Sequence, residues 1–202
     1  MVVIIDYKMG NTGSVKNALH ALGCDAVITS EKTDIGKATH LILPGVGAFP
    51  DGMKNLHSLN LVEILTKEVL TNKKPILGIC LGMQMMATKG EEGGVHEGLQ
   101  WIPGTTRKFQ VDEDKFKVPH IGWNDVEVAG ESKLLREILK PIFYFVHSYH
   151  FVPEHTDVVK GLTDYGEKFV SVVEQDNIFG VQFHPEKSQQ EGLHLIRNFL
   201  QL

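Results

Sequence analysis

The sequence is short of cysteine, of net charge and of long apolar runs, and each shortage excludes something. Two cysteines in 202 residues, Cys24 and Cys80, cannot build a disulfide framework. That argues against small secreted scaffolds and for a reducing, cytoplasmic setting. No apolar stretch nears the ~18 residues of a spanning helix; the longest are Val2–Ile5 and Ile142–Val146. No membrane association is expected. Met1 leads directly into apolar residues and then Asp6, unlike the basic start of a signal peptide. The balance of 20 Lys+Arg against 25 Asp+Glu gives a net charge of −5. Such a chain carries no basic footprint for nucleic acid.

What remains is an ordinary globular composition, 42% hydrophobic and 22% charged, with enough length to bury a core without staples. The length prior and the absence of a linker or repeat predict a single domain over residues 1–202. The first half alternates. Val2–Asp6, Ala26–Thr29, His40–Leu43 and Pro75–Ile79 read as short buried strands, the third closed by Pro44 and Gly45. Between them Asn11–Leu22 and Leu61–Leu70 carry apolar residues at helical spacing, and a further helix starts at Leu81 or Gly82. This alternation predicts an α/β fold, a mostly parallel sheet with helices on both faces. After Trp101 the texture changes to β-like runs at Asp125–Val128, Ile142–Val146, Phe169–Glu174 and Ile178–Phe183, with a hairpin turn at Gln175-Asp176-Asn177. The second half should add antiparallel strands, closed by a helix through Leu193, Ile196, Phe199 and Leu200.

The sharpest local pattern is Gly78-Ile79-Cys80-Leu81-Gly82, at a strand-to-helix junction. It has the form of a nucleophile elbow with Cys in the nucleophile position. Neighbours without Cβ make room for the strained corner and for a substrate. The N–H groups that follow, with the helix dipole, favour thiolate over thiol. A buried structural cysteine between packing glycines would give the same pentapeptide. A thiolate needs a base, and His184-Pro185-Glu186 ends an apolar run. Read as extended chain, positions i and i+2 share a face, so Glu186 can orient His184. Pro185 ends the strand there, which predicts a rim position for both. An oxyanion would find donors at the N–H of Leu81 and in Pro44-Gly45-Val46-Gly47, which follows a parallel strand. That segment is no dinucleotide fingerprint, because its third glycine position holds Pro50.

Other features read more plainly. Met83, Met85 and Met86 are expected to fill core. His147 and His150, three apart in a strand, should point to opposite faces and make a poor metal pair. No metal and no cofactor is expected. Trp123 in Pro119-His120-Ile121-Gly122-Trp123-Asn124 is read as a core tryptophan by default, or as a partner surface if exposed.

Taken together, Pro44-Gly45-Val46-Gly47, Gly78–Gln84 and Gln182–Ser188 resemble the class I (triad) glutamine amidotransferases and their flavodoxin-like fold. With Asp6-Tyr7, Gly10-Asn11, Pro119–Asn124 and Val146–Tyr149, the pattern is similar to the glutaminase subunits of imidazole glycerol phosphate synthase, over essentially the whole chain. The resemblance implies hydrolysis of L-glutamine to L-glutamate and ammonia, with Cys80 as nucleophile, His184 as base and acid, and Glu186 orienting it. It implies an oxyanion hole around Val46, Gly47 and Leu81. It implies glutamine held by Gln84, Glu92, Ser148 and Tyr149. It also implies a separate (β/α)₈-barrel cyclase of histidine biosynthesis as partner in a heterodimer. That partner would receive the ammonia through a channel and be met by Asn11, Pro119, Trp123 and Lys187. In the family a small residue more often stands where Lys8 is. Alternatives are a partner that is a sugar amidotransferase of surface-polysaccharide synthesis, a free-standing γ-glutamyl cysteine hydrolase, and a scaffold with an idle triad.

Overall fold

The computed structural model describes residues Met1–Leu202. Its strands are β1 (Val2–Ile5), β2 (Ala26–Thr29), β3 (His40–Gly45), β4 (Ile76–Cys80), β5 (Lys89–Gly90), β6 (His96–Glu97) and β7 (Gly104–Lys108). They continue with β8 (His120–Asp125), β9 (Glu127–Val128), β10 (Ile142–His147), β11 (Tyr149–Pro153), β12 (Val159–Asp164), β13 (Lys168–Gln175) and β14 (Ile178–Val181). Six α-helices intervene: α1 (Thr12–Ala21), α2 (Lys32–Lys37), α3 (Phe49–Ser58), α4 (Val62–Thr66), α5 (Leu81–Gln84) and α6 (Gln189–Leu200).

The main sheet has 8 strands in the order β2-β1-β3-β4-β14-β13-β12-β9. From β2 to β14 the pairing is parallel, and β13, β12 and β9 add antiparallel ladders. Alternate residues of β1 enter opposite cores, Val3 and Ile5 on one face and Val2 and Ile4 on the other. The first face is covered by Met53 and Leu56 of α3 and Leu65 of α4, the second by Leu19 of α1 and Phe199 of α6. This is why the parallel strands read as unbroken apolar runs: neither face meets water. The fold is the expected α/β one with helices on both faces. No helix is long and apolar enough to cross a membrane.

Four readings of the sequence need correction. Strand β3 does not close at Leu43 but runs through Pro44 and Gly45, which pair with Ile79 and Cys80. Pairing with β1 ends at Ile42, so the donor that Pro44 lacks would face no neighbour strand. The run Asp125–Val128 is split between β8 and β9, and Ile178–Phe183 leaves the ladder after Val181. The helix over Leu61–Leu70 starts as α4 and finishes as a π-turn at Lys67–Thr71. The hairpin holds: Gln175 pairs with Ile178 across Asp176-Asn177, with Asp176 at φ +54°.

Candidate active site

Cys80 is the last residue of β4, and α5 begins at the next position. Its backbone sits at φ +54°, ψ −109°, a left-handed conformation that costs a side-chain-bearing residue of order 1–3 kcal/mol. The flanking glycines are steric requirements. A Cβ on Gly82 would overlap the Leu43 carbonyl oxygen, and one on Gly45 would lie 2.7 Å from Leu81 Cβ and 2.5 Å from the Tyr7 hydroxyl. Strand, elbow and neighbouring strand therefore pack backbone to backbone. That close approach sets the Pro44–Gly47 segment beside the sulfur, since Gly45 pairs with Cys80 in the ladder.

On the other side of β4 lies β14, with Val181 paired to Ile79. The chain beyond Val181 therefore emerges next to Cys80, although the paired residues are 102 positions apart. Gln182 comes first, fully buried, its Nε2 donating to Cys80 Sγ at 3.6 Å. His184 follows, 1% exposed, with Nδ1 2.8 Å from Glu186 Oε1. Nε2 of the imidazole has no hydrogen-bond partner and is the ring nitrogen left for the chemistry. Burial alone would push the imidazole down, but the neighbouring Cys80 and Glu186 outweigh it and hold His184 up at about 10. Burial, with the sulfur nearby, pushes the Tyr7 hydroxyl up.

Two expectations about this pair change. His184 and Glu186 are not extended neighbours, because Pro185–Lys187 form a 3₁₀ turn that folds the carboxylate back onto the ring. Nor do they sit at a rim: both side chains are at most 2% exposed. Ser188, which the sequence reading left without a role, fixes the turn. Its hydroxyl donates to the His184 carbonyl at 2.6 Å and accepts from the Tyr144 N–H at 3.0 Å.

A cleft of about 400 Å³ opens at the sulfur. It brings together Val46, Gly47, Leu81, Gln84, Glu92, Ser148 and Tyr149, and Pro119 and Lys187 line it as well. Asn11, at the N-cap of α1, and Trp123 do not line it. Within the wall Gln84 Nε2 donates to the Tyr149 carbonyl at 2.8 Å and to Gln182 Oε1 at 3.1 Å. Glu92 Oε2 accepts from the Phe49 N–H at 2.7 Å, at the start of α3. Lys187 Nζ stands 5.8 Å over the Tyr144 ring.

Around this centre two further readings are corrected and one holds. Trp123 is 48% exposed rather than core. His147 and His150 do not point apart: both rings lie 5.0 Å from Phe109. Ser148 separates β10 from β11 and breaks the two-residue alternation between them. Met83, Met85 and Met86 are fully buried, as core filling requires.

Comparison with known proteins gives the same assignment. Residues 3–202 match the family model described as glutamine amidotransferase class-I. The chain is 48% identical over 201 residues to "Imidazole glycerol phosphate synthase subunit HisH 2" of Methanococcus maripaludis, covering 99% of this chain and 98% of that protein. It is 48% identical over 199 residues to the HisH subunit of Aquifex aeolicus, covering 98% of this chain and 94% of the relative. A crystal structure of a glutamine amidotransferase superposes with TM-score 0.74 at 22% identity, over 100% of this chain and 98% of that one. The PurLQS structure from Thermotoga maritima also gives 0.74, at 18% identity over 99% and 97%. The chain belongs to the class I glutamine amidotransferase family and, within it, to the HisH subunits of imidazole glycerol phosphate synthase.

Proposed function

We propose that Cys80, His184 and Glu186 are the residues with which this glutaminase subunit hydrolyses L-glutamine. The Cys80 thiolate attacks the side-chain amide carbon, forming the C–S bond of a tetrahedral adduct. The oxyanion is met by the N–H of Leu81 and by the main chain at Val46–Gly47. His184, holding the proton taken from the thiol, passes it to the nitrogen as the C–N bond breaks and ammonia leaves. Water, deprotonated by the same ring, then hydrolyses the thioester to glutamate. Glu186 fixes the ring through Nδ1 and stabilises its charged form. Gln84, Glu92, Ser148 and Tyr149 hold the amino-acid end of the substrate, the Glu92 carboxylate being the group suited to its ammonium.

The observation that carries this reading is a buried imidazole with Nδ1 2.8 Å from Glu186 Oε1 and Nε2 unpartnered, beside a cleft floored by a strained cysteine. Ammonia in neutral water becomes ammonium, which has no lone pair to donate, so its use calls for a docked acceptor. The acceptor here is the cyclase subunit of imidazole glycerol phosphate synthase, a (β/α)₈ barrel, with Asn11, Pro119, Trp123 and Lys187 on the side that meets it. Glutamate release should be measured with and without that subunit, and for Cys80→Ala in the complex. Loss of at least about 10³-fold in the variant is expected. Unchanged turnover without Cys80 would overturn the residue assignment, and equal activity with and without the cyclase subunit would favour a free-standing hydrolase.

A further inference from the structure

Three buried histidines lie outside the triad, and two of them form a chain whose direction the geometry dictates. His147 Nδ1 is 2.8 Å from the Tyr149 carbonyl oxygen. A carbonyl can only accept, so Nδ1 carries the proton. His147 Nε2 is 3.2 Å from His120 Nδ1. In a neutral His147 this nitrogen is an acceptor, so His120 must also be protonated on Nδ1. His120 Nε2 is then an acceptor in turn, facing Asn124 Nδ2 at 3.4 Å. The orientation of Asn124 is set independently, because its Nδ2 donates to the Asp164 carbonyl at 2.9 Å and its Oδ1 accepts from the Asp125 N–H at 2.8 Å. Every donor in the run meets an acceptor only if both rings are neutral and both protons sit on Nδ1.

We propose that His120 and His147 are a positioning pair: a one-directional hydrogen-bond chain from Asn124 to the Tyr149 carbonyl that fixes the Val146–Tyr149 wall of the glutamine cleft. The role of that wall in holding glutamine is part of the function proposed above, and the inference rests on it to that extent. The same carbonyl accepts from Gln84 Nε2, so it is clamped from two sides. The clamped segment carries the Val146 carbonyl, 3.8 Å from Cys80 Sγ, as well as Ser148 and Tyr149. Packing prevents the chain from swinging out. The His120 ring is stacked between Tyr165 at 4.0 Å and Phe145 at 4.9 Å, and both histidines are at most 6% exposed. Burial without a carboxylate neighbour keeps the two imidazoles neutral. Since His120 opens β8, whose Ile121 and Trp123 are 59% and 48% exposed, the chain also joins an outward-facing strand to the cleft wall.

Two measurements test the pair. Two-bond ¹H–¹⁵N correlation spectra of the labelled wild-type chain at pH 7 should show His120 and His147 as neutral rings protonated on Nδ1. A charged ring, or an Nε2–H form at either position, would overturn the proposal. In the complex with its synthase partner, His120→Phe keeps the stacking and removes the donor. It should raise the KM for glutamine about tenfold with kcat changed less than about threefold. His120→Asn, whose amide nitrogen falls near the place of Nδ1, should bring KM back to within about threefold of wild type. An unchanged KM in H120F, or equal loss in both variants, would reduce the pair to packing. Should the variants not fold, the wild-type spectrum still decides. Failure of Cys80→Ala to stop turnover would strike the proposed function instead and leave the proton positions unaffected.

Discussion

Two groups of buried histidines sit in this molecule at nearly the same exposure, and they titrate in opposite directions. His184 is 1% exposed and is held up at about 10. His120 and His150, each 2% exposed, are pushed down by burial to about 4. Burial acts on all of them with the same sign, against the charged ring. What differs is the company. His184 has a carboxylate on one nitrogen and the Cys80 sulfur near the other, whereas His120 is bounded by aromatic rings and a second neutral imidazole. His150 has Glu167 at 3.5 Å, but the Arg107 guanidinium 3.0 Å from Glu167 claims much of that charge. A titratable group in an apolar interior is therefore not by itself a sign of chemistry. The sign is burial overruled by a specific partner.

The contrast can be broken most severely at the sulfur. In Cys80→Ala the His184 ring should fall well below 10 toward the ordinary imidazole range, read by ¹⁵N shifts against pH, while His120 and His147 stay neutral. Movement of all three would mean that the two regions are electrostatically one. Next in size, Glu186→Gln removes the anion but keeps the shape of the side chain. Its kcat/KM should drop about 10²–10³-fold, with the alkaline limb moving below the wild-type position near pH 10. The shift is downward because the imidazolium loses a stabilising charge and gives up its proton at lower pH. An unmoved limb would assign that pKa to another group.

The smallest effect concerns stability. His184 has a native pKa above the ordinary 6.5, so its contribution is complete below pH 6.5 and is lost as pH rises toward 10. His120 and His150 have native values below 6.5, so theirs is complete above pH 6.5 and is lost as pH falls toward 4. Near pH 5 each buried neutral histidine should cost about 1–2 kcal/mol, or about 2–8 °C in Tm. Thermal melts from pH 7 to 4 should be shallower for His150→Phe than for wild type. Equal slopes would mean that His150 is already charged in the native state.

Legibility followed the range of the interactions. Parallel strands such as β1 and β4 declared themselves because burial on both faces leaves only apolar residues, and α1 and α6 because their stripes have helical spacing. Helix α3 did not, since its first turn carries Pro50, Asp51 and Gly52; tertiary burial of Phe49, Met53 and Leu56 holds it in place. The elbow at Cys80 was legible because its glycines answer to local sterics. Gln182 and Ser188 were not, because their partners, Cys80 and Tyr144, are far away in sequence and buried amides and hydroxyls have no periodic signature.

Alone, the order of residues determined which groups the chain possesses and the local bends they can tolerate: a cysteine at a glycine-flanked corner, a proline-terminated histidine with a carboxylate two places on, apolar runs that must be covered. Tertiary structure decided which of ten histidines meets the sulfur. Proton affinity depends on neighbours within a few ångströms, and those neighbours are chosen by strand order, here the insertion of β14 beside β4. No pattern read along one dimension contains that adjacency.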